Sequence, residues 1–256
     1  TVADHYTKSD ADTLLAAKAT NTAVALKAPI ASPSFTGNVG VGISSPAEML
    51  EIYNTSSPAI QLNDGGDYKS IMRLAGNDLE IRGSSGSLEF YNGAADGDSS
   101  ALAMKIDNAG IVTKPLQPAF QVKLGAASPV IPYNTNTTLL FNSEVFDQNN
   151  DFNTGTYSFT APVTGKYSLS AHLLLLTLDS SAHYYQLFIV TSNRLYYDTF
   201  DPRGYDQDTA YHTLKSNVLA DMDAGDTAYV RIYQQVGTTQ TNANVTTCLF
   251  SGFLAC

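Results

Sequence analysis

The residue types able to do chemistry are few and scattered. Four histidines occur, His5, His172, His183 and His212, and none belongs to a Gly-x-Ser-x-Gly elbow, a phosphate loop or a His-Glu-x-x-His run. His172 opens an apolar stretch and reads as a packed histidine, and no catalytic residue is assigned. Asp221, Asp223 and Asp226 carry carboxylates at the alternate spacing of calcium loops, which makes them candidate metal ligands. The run lacks the later bidentate Glu of such loops, so a solvated hairpin turn is the favoured alternative. No cofactor is required, and calcium is the one metal considered. The richest stretch spans 183–212, with His183-Tyr184-Tyr185, Tyr196-Tyr197-Asp198, Arg203-Gly204-Tyr205 and Tyr211-His212. Tyr joins an apolar ring to a polar tip, and Tyr and Arg are enriched at recognition surfaces. Tyr196, Tyr197, Asp198, Arg203, Tyr205 and Tyr211 are therefore candidate ligand-binding residues, and such rings beside Asp and Asn suit a sugar. The competing reading is subunit packing, favoured for Tyr184 and Tyr185. An extended chain would separate Cys248 and Cys256 by ~26 Å, far beyond disulfide reach, so two reduced thiols are expected.

Composition limits what these residues can serve. The 256 residues carry a net charge of −10, and only 15% are charged, against about 25% in an ordinary domain. An acidic chain without a basic stripe lacks the phosphate-neutralising term that dominates nucleic-acid affinity. The longest apolar runs, such as Leu173–Leu176, fall far short of the ~20 residues of a membrane-spanning helix. A hydrophobic share of 43% is too high for a disordered chain. A folded, soluble, β-rich protein is expected. The sequence opens on Thr1 with no Met and no signal-peptide pattern, which reads as a piece of something longer.

Three textures follow one another. Residues 1–28 alone have helical character, with Ser9 or Asp10 as the expected N-cap and a 4-3-4 seam of Leu15, Ala19, Thr22 and Leu26. Pro29 and Pro33 end it. Residues 29–118 show short alternating patches (Ile60/Leu62, Leu79/Ile81, Leu88/Phe90, Met104/Ile106), separated by turn signals at 63–67, 83–86 and 92–97. Two- or three-residue apolar faces cannot close a core in one chain, so several chains wound about one axis are expected there. A faint echo links Asn38–Gly42 to Asn108–Val112. Residues 119–256 have longer, aromatic-rich strands and frequent turns, the pattern of a β-sandwich. Leu173–Leu176, Gln186–Thr191 and Ala228–Tyr233 are its expected core strands.

The last segment resembles the globular head of the complement-component-one-q family, jelly-roll relatives of tumour necrosis factor. The resemblance rests on Phe120, Phe141, Phe152, Tyr157, Phe159, Pro162, Gly165, Tyr167, Gly225, Asp226, Phe250, Gly252 and Phe253. Its densest block runs from Gly155 to Leu169, an aromatic-x-aromatic, x-x-Pro-x-x-Gly-x-Tyr pattern. The resemblance implies a homotrimer with ligand recognition on its outer surface and apex. It also admits calcium in the acidic loop of Asp198, Asp201, Asp206 and Asp208. Upstream, Tyr6–Lys18, the proline-punctuated 27–37, Gly37–Pro46 and Met104–Gly110 resemble shafts of tailed-bacteriophage fibres. That resemblance implies a head at the distal tip, since no autocleaving chaperone domain follows it.

The expected fold class is mainly β: a short helical trimerisation segment (1–28), an intertwined trimeric shaft (29–118) and a jelly-roll head (119–256). The expected function is adsorption. The head of a virion fibre, made in the host cytoplasm and displayed on the virion surface, would bind a host receptor, a polysaccharide for which Tyr supplies the stacking rings. Other virion proteins would contact the missing N-terminal part; neither nucleic acid nor membrane insertion is expected. A decoration fibre whose head only trimerises and caps the shaft is the alternative. A depolymerising tip is weaker, because no long β-helical repeat is visible.

Overall fold

A computed structural model describes residues 7–18, 37–55, 58–63, 69–82, 86–92, 101–125 and 130–256. The chain divides into two compact units, Thr1–Leu88 and Glu89–Cys256. The first opens with a helix, Lys8–Lys18 (α1). Its cap is Thr7 rather than Ser9 or Asp10. Thr7 Oγ1 accepts from the Asp10 N–H at 3.2 Å while the Thr7 N–H donates to Asp10 Oδ2 at 2.9 Å, a reciprocal box that satisfies two orphan donors. Ala19, Thr22, Leu26 and the prolines after them lie outside the described residues, as does the Leu15 side chain.

Val39–Val41 (β1) and Leu50–Ile52 (β2) pair in parallel. Ala59–Asn63 (β3), Lys69–Ala75 (β4) and Asp78–Arg82 (β5) form an antiparallel meander. Its register sets Ile60, Met72 and Ile81 abreast and Leu74 opposite Leu79. These five side chains share one face, each 45–65% exposed. The opposite face holds Glu80 between Arg73 and Arg82, at 2.8 Å from each. Strand β4 escaped the alternation because Ile71 and Met72 are adjacent, one on each face, which blurs the period of two.

Leu88–Asn92 (β6), Ala101–Ile106 (β7) and Val112–Thr113 (β8) make a small sheet. Asn108–Gly110 belongs to the β7–β8 turn, where Asp107 Oδ1 accepts from the Ala109 and Ile111 N–H groups. Its sequence echo at Asn38–Gly42 instead contains strand β1, so the echo is not a structural repeat. Most of the turn clusters at 63–67, 83–86 and 92–97 lies outside the described residues.

The sandwich is built from Ala119–Lys123 (β9), Val130–Ile131 (β10), Thr137–Thr138 (β11), Ser143–Asp147 (β12), Phe152–Asn153 (β13), Ser158–Thr160 (β14) and Gly165–Leu178 (β15). It continues with Tyr184–Thr191 (β16), Leu195–Phe200 (β17), Thr209–Met222 (β18), Thr227–Gln235 (β19), Thr241–Ala243 (β20) and Leu249–Leu254 (β21). One antiparallel sheet runs β10-β20-β15-β21-β9-β12, with β18 on β15; the other runs β13-β14-β19-β16-β17, with β11 on β19. The three core segments expected from the sequence fall in β15, β16 and β19.

Strict alternation along β15 buries Tyr167, Leu169, Ala171, Leu173 and Leu175, and turns Ser168, Ser170, His172, Leu174 and Leu176 outward. His172 is thus half-buried on an outer face, not packed in the core. Between the sheets Phe120 stacks on Phe159 at 4.7 Å, touches Phe152 at 5.2 Å and meets Phe250 edge-on at 5.1 Å. Each such pair adds about 0.5–1.5 kcal/mol beyond burial. Gly252 is what lets this cluster close: a Cβ there would come within 2.6 Å of Leu169 Cδ2 and 2.8 Å of Phe120 Cε1. Gly165 gives way to the final strand, since its Cβ would meet the Cys256 carbonyl oxygen at 2.7 Å. Two signature aromatics stand elsewhere than in the core. Tyr157 is half-buried in the β13–β14 turn with φ 61°. Phe253 points outward, opposite Ser168, because period two sends it away from Phe250.

Candidate functional site

The six candidate ligand residues do not converge on one site. Strand β17 alternates between the two sides of its sheet, so Tyr196 packs against the margin of the core while Tyr197 stands outward, 55% exposed. Asp198 pairs across from Leu187 on the same side as Tyr196, but is exposed. Arg203 lies in a short 3-10 turn, Pro202–Gly204, and its guanidinium is committed to Asp201 through bonds of 3.0 and 2.6 Å. The side-chain and backbone donors of Arg203 hold the Asp201 carboxyl down to about 2. Tyr211 is on the outer face of the other sheet, opposite Leu176.

Tyr205 has a structural task. It lies 5.9 Å from Phe200, which stacks on His212 at 4.0 Å and 25°. Phe200 comes from one sheet and His212 from the other, so the three rings plug the open edge of the sandwich. Burial there pushes the His212 imidazole below its ordinary value.

The acidic turn is a turn. Lys166 Nζ donates to Asp221 Oδ1 at 2.5 Å, Asn193 Nδ2 donates to Asp226 Oδ2 at 2.6 Å, and the Asp223 N–H donates to the same Asp226 oxygen. Gly225 N–H closes the turn on the Ala161 carbonyl. Asp221 and Asp226 thus each have a carboxylate oxygen engaged by a neighbour, and among the described residues no three His, Cys, Asp or Glu side chains are grouped for a metal. In the second acidic loop Asp208 accepts from the N–H and hydroxyl of Ser180.

One buried carboxylate was not anticipated. Asp179 is fully buried, and its carboxylate accepts from Ser181 and from the Thr238 and Thr239 N–H groups. Burial pushes that carboxyl up, but those hydrogen bonds together outweigh it and hold it low. It ties the β15–β16 connection to the β19–β20 connection. Cys248 is buried against β15, with its sulfur near Leu174 N and O, and burial pushes the thiol up to about 11. Both cysteines are free thiols, Cys256 being exposed.

Two outer faces remain. On the β15 sheet, Leu219, Ser168 and Phe253 stand in one row, and Leu174, Leu176 and Tyr211 extend the apolar surface at its far end. On the β19 sheet, Tyr229, Arg231, Tyr233 and Gln235 occupy successive outward positions. Sequence reasoning took 228–233 only as a core strand; its alternate Tyr-x-Arg-x-Tyr-x-Gln was the available signal.

A two-sheet antiparallel sandwich with this aromatic core defines the class. The C1q domain model matches residues 119–255, more than half of the chain, and the chain belongs to the C1q domain family. That family is non-catalytic, and its domains generally form homotrimers. No curated protein matches the chain. The globular domain of zebrafish complement 1qA protein is similar over 54% of this chain and 98% of its own, at 21% identity and a TM-score of 0.38. Murine APRIL is similar over 54% and 98%, at 10% identity and 0.40. The Eiger TNF of S. frugiperda is similar over 55% and 93%, at 11% identity and 0.37.

Proposed function

We propose that this chain is a homotrimeric bacteriophage fibre component whose C1q domain recognises a receptor, a polysaccharide, on the host surface. The observation that carries the reading is the amphipathic meander β3–β5. One face is polar and ion-paired, whereas Ile60, Met72, Leu74, Leu79 and Ile81 on the other are 45–65% exposed in the single chain. Exposed apolar faces of this kind are rare unless they meet something, and a shaft shared by three chains covers them. The head supports the same assembly. Leu173–Leu176 is a continuous apolar run, which a strand needs when both its faces are covered, yet Leu174 and Leu176 on its outer face are only half-buried within the chain.

Adhesion then works through avidity. Three heads on one axis turn the second and third contacts into intramolecular events, raising overall affinity by about 10²–10⁴ without new contacts. The chain is synthesised in the host cytoplasm and displayed on the virion. Labelled full chain, mixed with a panel of bacterial strains, is expected to be retained on a subset of them. A folded trimer retained on none would overturn the adhesin reading and leave a fibre whose head serves assembly alone.

A further inference from the structure

The outward face of the β19 sheet is a grid of side chains set by strand register. Arg231 of β19, Phe188 of β16 and Tyr197 of β17 stand abreast in one row. Tyr233, Gln186 and Thr199 form the next row, and Tyr229, Val190 and Leu195 flank the other side. The Arg231 guanidinium carbon lies 4.5 Å over the Phe188 ring centroid, and Tyr197 leans on the same ring at 5.3 Å. Tyr184 and Tyr233 both donate their hydroxyls to Gln235 Oε1, at 3.1 and 2.6 Å, which fixes the second pair of rings.

The charge on this face is unusual for the molecule. The chain has 24 acidic against 14 basic residues, yet none of the outward positions of β16, β17 and β19 in the grid is acidic. Arg73, Arg82 and Arg203 are each paired with a carboxylate. Arg231 has no such pair among the described residues, and its Nε is buried without a hydrogen-bond partner. With Nε buried, a planar guanidinium stacked on one ring keeps its terminal Nη edge for a bidentate carboxylate. Exposed Tyr197 and half-buried Tyr229 and Tyr233 on either side of it offer apolar ring faces with polar tips.

We propose that this grid is a binding surface for a carboxylate-bearing polysaccharide, with Arg231 taking the carboxylate and the flanking tyrosines taking the sugar rings. The inference rests on the adhesin reading and gives it a ligand class: an acidic glycan, bound on the sheet face and not at the 198–211 loop. Neutral glycans lack the group that would satisfy Arg231, and leaving that cation unpaired is what discriminates against them.

Calorimetric titration of the full chain with oligogalacturonate tests it, with dextran as the neutral control and dextran sulfate as the sulfated one. Oligogalacturonate is expected to bind and dextran not to bind. Arg231→Gln is expected to weaken binding about tenfold or more, the scale of a lost charged hydrogen bond, with a cooperative unfolding transition retained. Tyr197→Ala, at an exposed position on the edge strand, is expected to weaken it severalfold. Equal affinity for dextran, equal affinity for dextran sulfate, or unchanged binding by both variants would overturn the assignment. The two readings separate on cells. Wild-type levels of retention by Arg231→Gln would sink this surface and leave adhesion standing. Oligogalacturonate binding by a chain retained on no strain would do the reverse.

Discussion

At the scale of single residues, close approach decides more than chemistry does. Gly252 sits where Leu169 and Phe120 leave no room for a methyl group. Gly252→Ala is expected to cost about 1–3 kcal/mol, the usual range for overpacking a core, measured by denaturant unfolding; an unchanged midpoint would count against the packing described. Cys248 is pushed up to about 11, and only a thiolate attacks a disulfide reagent. A chromogenic disulfide reagent should therefore titrate Cys256 in the folded chain and reach Cys248 only after unfolding. His212 gives a pH dependence with a definite sign. Its folded value is depressed by burial, so the neutral form is the one the sandwich edge accepts. The stability it contributes is present above the ordinary 6.5 and is lost as pH falls through the lower folded value. Melting curves from pH 8 to pH 5 should show that loss, and His212→Phe should remove this part of it.

At the scale of elements, alternation was the legible signal. Period two found β3, β5, β6 and β7, because one-sided burial writes itself into every second residue, while long apolar and aromatic-rich runs between frequent turns found β15, β16 and β19. Strand β4 was hidden where Ile71 and Met72 put apolar groups on both faces. The candidate site was legible as residues but not as a place. Tyr196 and Tyr197 are neighbours in sequence and face opposite sides of a sheet, and the commitment of Arg203 to Asp201 depends on a turn that spacing does not reveal. The Asp179 anchor was invisible for a similar reason: its partners Thr238 and Thr239 come from a distant connection. The outward row of Leu219 and Phe253 yields a prediction at this scale. Both are more than half exposed in the single chain, so changing both to Asp should leave the chain with a cooperative unfolding transition. Chain association, read by light scattering, should be lost.

At the scale of the whole molecule, composition and assembly are linked. Low charge, abundant Asn, Thr, Ser and Gly, and apolar sheet faces left open in one chain suit a protein that completes its surfaces with copies of itself. Family membership covers 119–255, and the shaft reading rests on the open face of β3–β5. Both agree with three chains sharing an axis, the assembly on which the proposed avidity and host adhesion depend. The most direct measurement is the mass of the full chain by sedimentation equilibrium. The account predicts a single species of three 27.4 kDa chains, undiminished on dilution into the nanomolar range. A species with the mass of one 27.4 kDa chain would contradict it.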